Sequence, residues 1–286
     1  MSGPVATVLT HRRPAETGPA IEALIEVAQS VGARLVIDER EATKHKLEPA
    51  DGLEITPTMP RDVDICFALG GDGTILSALR TYAGTGVPVF GVNFGEVGFL
   101  ATIDREDARS GFQRAFAREF DTLALPGIAV HAGNSAWIAI NDVSVQRGQG
   151  QRVATLAYSV GEDEIGRVRC DGLVVATPAG STGYNLANGG PVMAWGVAGI
   201  VVSFIAPHSL TARALVVAPN DTLTIQNNSE DEAVDVAIDG RPMIELQPGA
   251  RLEARFVGNQ GLLAQLEGIN FYKRLQQKFG RLATLR

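Results

Sequence analysis

The residues of this chain best suited to do chemistry form one short turn, Gly-Gly-Asp-Gly-Thr at positions 70–74. An apolar run from Val63 to Leu69 precedes the turn, and apolar residues recur at helical spacing from Ile75. The pattern therefore predicts a strand, a tight turn and a helix. The glycines let the phosphates of a ligand approach the main chain without meeting a Cβ atom. We expect Thr74 to cap the helix, whose free N–H groups favour an anion.

Asp72 is the reactive group of this turn. A carboxylate beside a bound phosphate is repelled unless it binds a metal ion or accepts a proton. Both uses belong to phosphoryl transfer, in which a positioned aspartate accepts the proton of a hydroxyl group while Mg²⁺ neutralises the phosphates. A glycine-rich turn that only reverses the chain, with Asp72 in solvent, is the alternative that this turn alone leaves open.

A second glycine-containing segment, residues 91–100, begins at the end of the strand predicted for residues 87–92 and carries Asn93. Strands that alternate with helices form a mostly parallel sheet, and such sheets bind ligands at the carboxyl ends of their strands. We therefore expect this segment and the turn at 70–74 to face one crevice. A loop that serves only chain reversal has the same composition.

The second half of the chain contains two further polar motifs. The stretch Thr-Pro-Ala-Gly-Ser-Thr-Gly-Tyr at 177–184 follows a buried run. The side chains of Ser181, Thr182 and Asn185 can hydrogen-bond the polar edge of a ligand, and the tyrosine offers a flat face to a base. An Asn-Asp pair at 141–142 could hold a ribose diol, although such a pair alone is usually a turn.

Composition narrows the class of protein. The chain has 286 residues, 45% apolar and 20% charged, which is typical of a soluble globular protein. Its net charge of −7 argues against nucleic-acid and membrane-surface partners, both of which favour basic patches. Two cysteines without a CxxC pair make a zinc site or a disulfide framework improbable, so we expect a reducing cytoplasm. We expect no signal peptide, because the first residues lack its basic region and long apolar run. We expect no membrane span, because no uninterrupted apolar run reaches about 18 residues.

The texture of the sequence changes near residue 122. Residues 1–121 alternate between strand and helix patterns and predict an α/β domain with a mostly parallel sheet. Residues 122–266 consist of short alternating runs separated by glycine, proline, asparagine and aspartate, and predict an antiparallel β-rich domain. A basic amphipathic helix is predicted at 269–280. We expect the active site to lie between the domains.

Taken together, these motifs resemble those of bacterial NAD kinases, which carry them in the same order. The glycine-aspartate turn alone is shared with diacylglycerol, sphingosine and 6-phosphofructokinase relatives. The hydroxyl-tyrosine loop combined with the Asn-acid pair is much more specific. The resemblance spans residues 70–275 and rests on 70–74, 93–95, 98–100, 141–142, 171–172, 177–184, Pro-His-Ser-Leu at 207–210 and Tyr-Lys-Arg-Leu at 272–275.

The resemblance implies an ATP-dependent transfer of a phosphoryl group to the 2′-hydroxyl group of the adenosine ribose of NAD, which gives NADP. It implies Mg²⁺ or another divalent cation together with ATP. Asp72 resembles the general base, and Gly73 belongs to the same contact. The family also implies that the C-terminal helix packs on the first domain and that the chains form homodimers or homotetramers.

The same resemblance implies the residues that contact the dinucleotide. Asn141 and Asp142 resemble the pair near the ribose, and Arg169 and Asp171 resemble positions on the nicotinamide side. The segment around the adenosine consists of Thr182, Gly183, Tyr184, Asn185, Leu186 and Ala187, and further polar contacts fall at Arg152 and Arg241.

Two positions depart from the family pattern. Asp142 stands where glutamate is commoner, so its shorter side chain has to approach the ribose more closely or reach it through water. Ala179 stands where threonine is frequent, which removes a hydroxyl group from the loop. Neither position touches the proposed base, so the departures concern contacts and not the reaction.

Two other functions remain as alternatives. A lipid kinase of the diacylglycerol type can be built on the same glycine-aspartate turn, and a non-catalytic sensor would bind the dinucleotide without phosphorylating it. A dehydrogenase is disfavoured because Leu76 stands where the third glycine of a GxGxxG motif would be required. A Walker-type GxxxxGK[ST] loop is absent from the sequence.

Overall fold

The computed structural model describes residues 3–95, 98–268 and 270–283, and the chain divides into two compact units. The first unit comprises residues 1–124 and 261–286, and the second comprises residues 125–260. The chain therefore leaves the first unit, builds the second, and returns to the first with its C-terminal segment.

The first unit is an α/β structure in which strands and helices alternate, as the sequence pattern predicts. Its sheet has the order β3-β2-β1-β4-β5 with parallel neighbours, so the carboxyl ends of these strands lie at one edge. The elements are β1 (Val5–Thr10), α1 (Pro14–Ser30), β2 (Arg34–Asp38), α2 (Glu39–His45), β3 (Leu53–Thr56), β4 (Ile65–Gly70), α3 (Asp72–Thr81), β5 (Pro88–Asn93), β6 (Ile103–Asp104) and α4 (Ala108–Phe116).

Two elements of this unit differ from their predicted form. The helical spacing of apolar residues predicts a first helix over residues 19–31, but the helix begins at Pro14, where the missing N–H of proline would have no intrahelical partner, and it contains Pro19. The charged, proline-containing stretch 38–62 predicts a short helix and a surface loop, yet it also contains β3. Only Leu53 of that strand is buried, so the alternation is too weak to recognise in the sequence.

The second unit is built from antiparallel strands. Among its strands, β11-β10-β15-β18 is one series of paired neighbours and part of a larger sheet. A separate six-stranded sheet has the order β14-β13-β12-β9-β16-β17, and β7 pairs with β8. Side chains from both sheets, such as Val175 and Leu156, form one hydrophobic core. The elements are β7 (Asp121–Ala132), β8 (Ser135–Ala139), β9 (Asp142–Arg147), β10 (Ala154–Val160), β11 (Asp163–Cys170), β12 (Gly172–Ala176), α5 (Tyr184–Ala187), β13 (Ile200–Ile205), β14 (Leu215–Val217), β15 (Thr222–Asn227), β16 (Val234–Ile238), β17 (Arg241–Leu246) and β18 (Arg251–Gln265).

The C-terminal helix α6 (Phe271–Ala283) packs on the first unit, as the family resemblance implies. The ring of Phe99 contacts the rings of Phe271 and Phe279, with centroids 6.1 and 6.3 Å apart. No helix among the described residues is long and apolar enough to cross a membrane. The sequence predictions for Ile269, for Glu96 and Val97, and for Met1 and Ser2 lie outside the described residues.

An aromatic cluster forms the centre of the first unit and yields a stability prediction. The ring of Phe67 lies 5.2 Å from that of Phe112, and both side chains are fully buried. Phe112→Ala should lower the free energy of unfolding by about 3–5 kcal/mol, because it removes buried apolar area and leaves a cavity. Urea denaturation measures this loss. Val31→Ala, at a side chain that is 46% exposed, should change stability by less than about 0.5 kcal/mol. Similar losses in both variants would contradict the assigned core.

Candidate active site

The glycine turn follows β4 directly and leads into α3. Gly71 occupies the N-cap position without a side-chain hydrogen bond, so the prediction that Thr74 caps the helix is wrong. Thr74 lies instead in the first helical turn, where its side chain packs against the backbone of Gly70. A Cβ atom at Gly70 would lie 2.3 Å from the Thr74 hydroxyl oxygen, which explains why glycine is required there.

The carboxylate of Asp72 is held by backbone amides. Its two oxygens accept hydrogen bonds from the N–H groups of Phe99 and Leu100, at 2.8 and 3.0 Å. We call residues 98–101 the clamp loop. These two amides stabilise the negative charge of Asp72 without a metal ion or a proton, the two kinds of compensation expected from the sequence. A carboxylate has about four lone-pair sites, so each oxygen keeps one for a ligand.

The turns that follow β4 and β5 lie side by side, as the sequence pattern predicts. The amide of Phe94 donates to the carbonyl of Gly70 at 3.2 Å. Asn93 stabilises its own turn by accepting from the amide of Gly95 at 3.0 Å, and it donates to Asp104 at 3.2 Å. The carboxyl edge of the parallel sheet therefore carries a carboxylate and several backbone N–H groups close together.

In the second unit, the Asn-Asp pair at 141–142 is held by an aspartate that sequence reasoning missed. The carboxylate of Asp239 accepts hydrogen bonds from the amides of Ile140, Asn141 and Asp142, at 3.1, 2.7 and 3.1 Å. Asp239 has a left-handed backbone (φ 47°) in the turn between β16 and β17. The Asp-Gly dipeptide is a hairpin signal that could have located this turn. The hydrogen bonds of Asp239 to residues far away in the sequence could not be predicted from this dipeptide.

Asp142 is buried, with 9% of its surface exposed. Burial raises its pKa to about 7, and the neighbouring carboxylate of Asp239 contributes to the shift. The pKa of Tyr184 is raised by burial and, to a smaller extent, by the charge of Asp142. The Tyr184 hydroxyl group donates to the side-chain oxygen of Gln146 at 3.2 Å. Asp142 and Tyr184 therefore share one environment.

The loop at 177–183 is attached to the Asn-Asp pair through its backbone. The hydroxyl group of Thr177 donates to the carbonyl of Ile140, and its amide donates to the carbonyl of Asn141, both at 2.8 Å. A Cβ atom at Gly180 would lie 2.0 Å from the Asn141 carbonyl oxygen, so only glycine permits this approach. The Asn-Asp pair at 141–142 and the loop at 177–183 are therefore joined by hydrogen bonds and close packing.

Two of the polar side chains expected to face a ligand are used inside the loop. The hydroxyl group of Ser181 donates to the carbonyl of Pro178 at 2.7 Å and accepts from the amide of Met193 at 2.8 Å. The amide nitrogen of Asn185 donates to the carbonyls of Ser181 and Pro191, at 2.9 and 3.0 Å. Both residues are fully buried. By contrast, Gly183 and Ala187 are exposed, and Thr182 and Leu186 are partly exposed.

The remaining predicted site residues fall in different places. Arg152 and Arg169 are exposed and line one cavity of about 650 Å³ in the second unit. The carboxylate of Asp171 accepts from Arg147 at 2.6 Å, a partner that sequence reasoning did not identify. Arg241 is exposed and opens β17, two residues after Asp239.

No cluster of metal-ligating side chains accompanies these residues. Among the described residues, no group of three or more histidine, cysteine, aspartate or glutamate side chains is arranged to hold a metal ion. The carboxylate of Asp72, with a lone pair left on each oxygen, is compatible with a Mg²⁺ ion that is bound mainly by substrate phosphates.

The raised pKa of Asp142 predicts a pH-dependent stability. The ordinary pKa is 3.8 and the folded-state value is about 7, so the folded chain holds this proton more tightly than the unfolded chain. Stability should fall as the pH rises through that interval. Asp142→Asn removes the buried charge and should stabilise the protein at pH 8 by on the order of 2–4 kcal/mol, with little gain near pH 4.

Thermal or urea unfolding of the wild type and the variant at several pH values measures this difference. Asp235→Asn, at an exposed position of β16, is the matched control and should show no such pH trend. An Asp142→Asn variant that is less stable than the wild type at pH 8 would contradict the assigned environment.

Comparison with known proteins identifies relatives of both units. The ATP-NAD kinase N-terminal domain family matches residues 23–120, and the ATP-NAD kinase C-terminal domain family matches residues 140–258. The NAD kinase of Lachnoclostridium phytofermentans is 30% identical over 285 residues, which cover 96% of this chain and 98% of that protein. The NAD kinase of Symbiobacterium thermophilum is 36% identical over 222 residues, which cover 76% and 78%.

Two solved structures share the fold. Yeast NADH kinase complexed with NADH matches with a TM-score of 0.88 at 21% identity and covers 100% of this chain and 90% of that one. An NAD kinase from Archaeoglobus fulgidus in complex with ATP matches with a TM-score of 0.73 at 21% identity and covers 99% and 100%. With both domain families matched and bacterial relatives aligned over nearly its whole length, this chain belongs to the ATP-NAD kinase family of phosphotransferases.

Proposed function

We propose that this protein transfers the γ-phosphoryl group of ATP to the 2′-hydroxyl group of the adenosine ribose of NAD and so produces NADP. The observation that carries the proposal is the carboxylate of Asp72, which two backbone amides hold at the carboxyl edge of the parallel sheet. The position matches that of the ligand sites of open α/β sheets. Membership of the NAD kinase family supports the choice of substrates.

In this proposal Asp72 is the general base. The 2′-hydroxyl group loses its proton to a free lone pair of the Asp72 carboxylate as the bond to the γ-phosphorus forms and the bond to the leaving ADP oxygen breaks. Proton transfer to a positioned side chain contributes roughly 10²–10⁴-fold to the rate, and positioning with charge stabilisation supplies much of the remainder. Gly73, which is next to Asp72 in the first turn of α3, belongs to the same contact.

Asn141 and Asp142 are the proposed contacts of the ribose that belongs to the dinucleotide. The side-chain oxygen of Asn141 is buried and has no hydrogen-bond partner among the described residues, so a ligand hydroxyl group can supply the missing donor. The carboxyl group of Asp142 has a pKa of about 7, which lets it accept or donate a hydrogen bond near neutral pH.

The other dinucleotide contacts are proposed from the family pattern and from exposure. The segment 182–187, with the ring of Tyr184 in contact with a small apolar cluster, is proposed to surround the adenosine. Arg169 and Asp171 are assigned to the nicotinamide side. Arg152 and Arg241 are proposed as further polar contacts.

The divalent cation is proposed to arrive bound to the phosphates of ATP. Mg²⁺ typically binds through one or two carboxylates together with substrate phosphates, and there it neutralises charge on the transferred group. We further propose a cytoplasmic location and a homodimer or homotetramer. The α/β domain (1–121 with 267–286) is proposed to carry the base, and the β-rich domain (122–266) to hold the dinucleotide.

An assay of NADP formation tests the function. The purified protein is mixed with NAD and either ATP or inorganic polyphosphate, with Mg²⁺ or with excess EDTA. We expect NADP with ATP and Mg²⁺, loss of the activity with EDTA, and recovery when Mg²⁺ is restored, because the phosphate charge is then neutralised again. A parallel reaction contains diacylglycerol in place of NAD. Phosphorylation of diacylglycerol without NADP formation would contradict the proposal. Binding of NAD without any turnover would contradict it as well and would leave a sensor.

The base assignment has a separate test. Asp72→Asn keeps the shape of the side chain and removes its basicity, so kcat should fall by about 10²–10⁴-fold while the affinity for NAD, measured by calorimetry, stays near wild type. Asp107→Asn, an exposed carboxylate-to-amide change in the same unit, should leave kcat within about twofold of wild type. An Asp72→Asn variant that keeps more than about a tenth of the activity would show that another group takes the proton.

A further inference from the structure

The C-terminal helix is hydrogen-bonded to the clamp loop, which also holds Asp72. The two inner residues of the loop donate their amides to the Asp72 carboxylate. The two outer residues, Gly98 and Ala101, present carbonyl groups that both accept hydrogen bonds from the guanidinium group of Arg274 in α6. Arg274 and Asp72 are therefore joined through a single stretch of backbone, whose amides bond to Asp72 and whose carbonyls bond to Arg274.

Arginine is the side chain suited to this position. Arg274 is only 9% exposed, and burial lowers its pKa, while the nearby carboxylates of Asp72 and Asp104 act in the opposite direction and favour its charged form. The planar guanidinium group can donate to two carbonyls at once, whereas a lysine ammonium group acts as a compact point charge. Arg274 therefore supplies both a geometric bridge and a positive charge near the candidate base.

The clamp loop leaves Asp72 little freedom. A Cβ atom at Gly98 would lie 2.2 Å from one carboxylate oxygen of Asp72, so the loop backbone already lies against the carboxylate. On the side of α6, the ring of Phe99 packs against Phe271 and Phe279, and the Lys278 ammonium group lies 5.0 Å from the centre of the Phe99 ring. A shift of the loop relative to α6 would thus change the direction of the carboxylate.

We propose that Arg274 is a positioning residue for phosphoryl transfer. Arg274 fixes the clamp loop by its hydrogen bonds to the carbonyls of Gly98 and Ala101, and the amides of that loop orient the Asp72 carboxylate. The proposal rests on the proposed function, in which Asp72 is the base. In this proposal Arg274 contacts neither the 2′-hydroxyl group of the ribose nor the γ-phosphoryl group. A displacement of about 1 Å in a catalytic group can cost as much as 10²-fold in rate, so the loss of this bridge should be seen in turnover.

Arg274→Ala tests the proposal. We expect kcat to fall about 10- to 100-fold while the KM values for NAD and ATP change less than about threefold, because orientation is lost and substrate binding is kept. Guanidinium chloride at millimolar concentration should restore part of kcat, whereas potassium chloride at the same ionic strength should not. The guanidinium ion has room to enter, because the Arg274 side chain lines a cavity of about 550 Å³ in the first unit.

Arg114→Ala is the matched control. Arg114 lines the same cavity and pairs with Glu119 at 3.6 Å, away from the clamp loop. Its removal should leave kcat within about twofold of wild type, and guanidinium should have no effect on it. If Arg274→Ala does not fold, Arg274→Lys carries the test, and a lowered kcat with unchanged KM supports the proposal.

Three results would overturn the positioning role. One is a kcat of Arg274→Ala within about twofold of wild type. The second is a lost kcat that guanidinium restores no better than potassium chloride, which would indicate a purely structural residue. The third is a wild-type kcat in Arg274→Lys if the alanine variant does not fold. A wild-type protein that forms no NADP would contradict the proposed function instead, so the two failures are distinguishable.

Discussion

The carboxylate of Asp72, at the carboxyl edge of the parallel sheet, is held by hydrogen bonds from two backbone N–H groups. The amides of Phe99 and Leu100 each donate to one oxygen of Asp72. The position of Asp72 at the first residue of α3 adds the favourable field of a helix N-terminus. The parallel sheet and the glycine turn position Asp72, and α6 holds the clamp loop. The geometry of the candidate base therefore depends on all three.

The second unit also contains a carboxylate that accepts hydrogen bonds from backbone amides, but there the carboxylate holds the backbone in place. There the carboxylate of Asp239 accepts three backbone amides and so fixes the residues around Asn141 and Asp142. In the first unit two backbone amides hold the carboxylate of the candidate base Asp72, whereas in the second unit the carboxylate of Asp239 holds the backbone of the candidate ribose contacts. The second arrangement also places two carboxylates close together, which contributes to the raised pKa of Asp142.

Most of the fold was predictable because its signals are local. The strand, turn and helix around residues 65–81 follow from an apolar run, three glycines and helical spacing. The strand lies within two residues of its predicted bounds, whereas the helix begins at Asp72, three residues before the predicted start at Ile75. The alternating runs that predict strands in the second half of the chain do not include two of its strands, β11 and β17. The exposed strand β11 has only two buried residues, and β17 begins with an arginine and a proline, so neither shows a clear alternation.

The sequence by itself determined the fold class, the family and the identity of the candidate base, because glycine spacing, strand runs and motif order are properties of adjacent residues. Only the tertiary structure decided which groups hold that base and its counterpart in the second unit. Asp72 is joined to residues 27 and 28 positions away, and Asp239 to residues about 98 positions away. Arg274 reaches the clamp loop across 173 and 176 positions. Hydrogen bonds between residues so far apart along the chain leave no periodic pattern in the sequence. Their partners come together only when the sheets and α6 have packed.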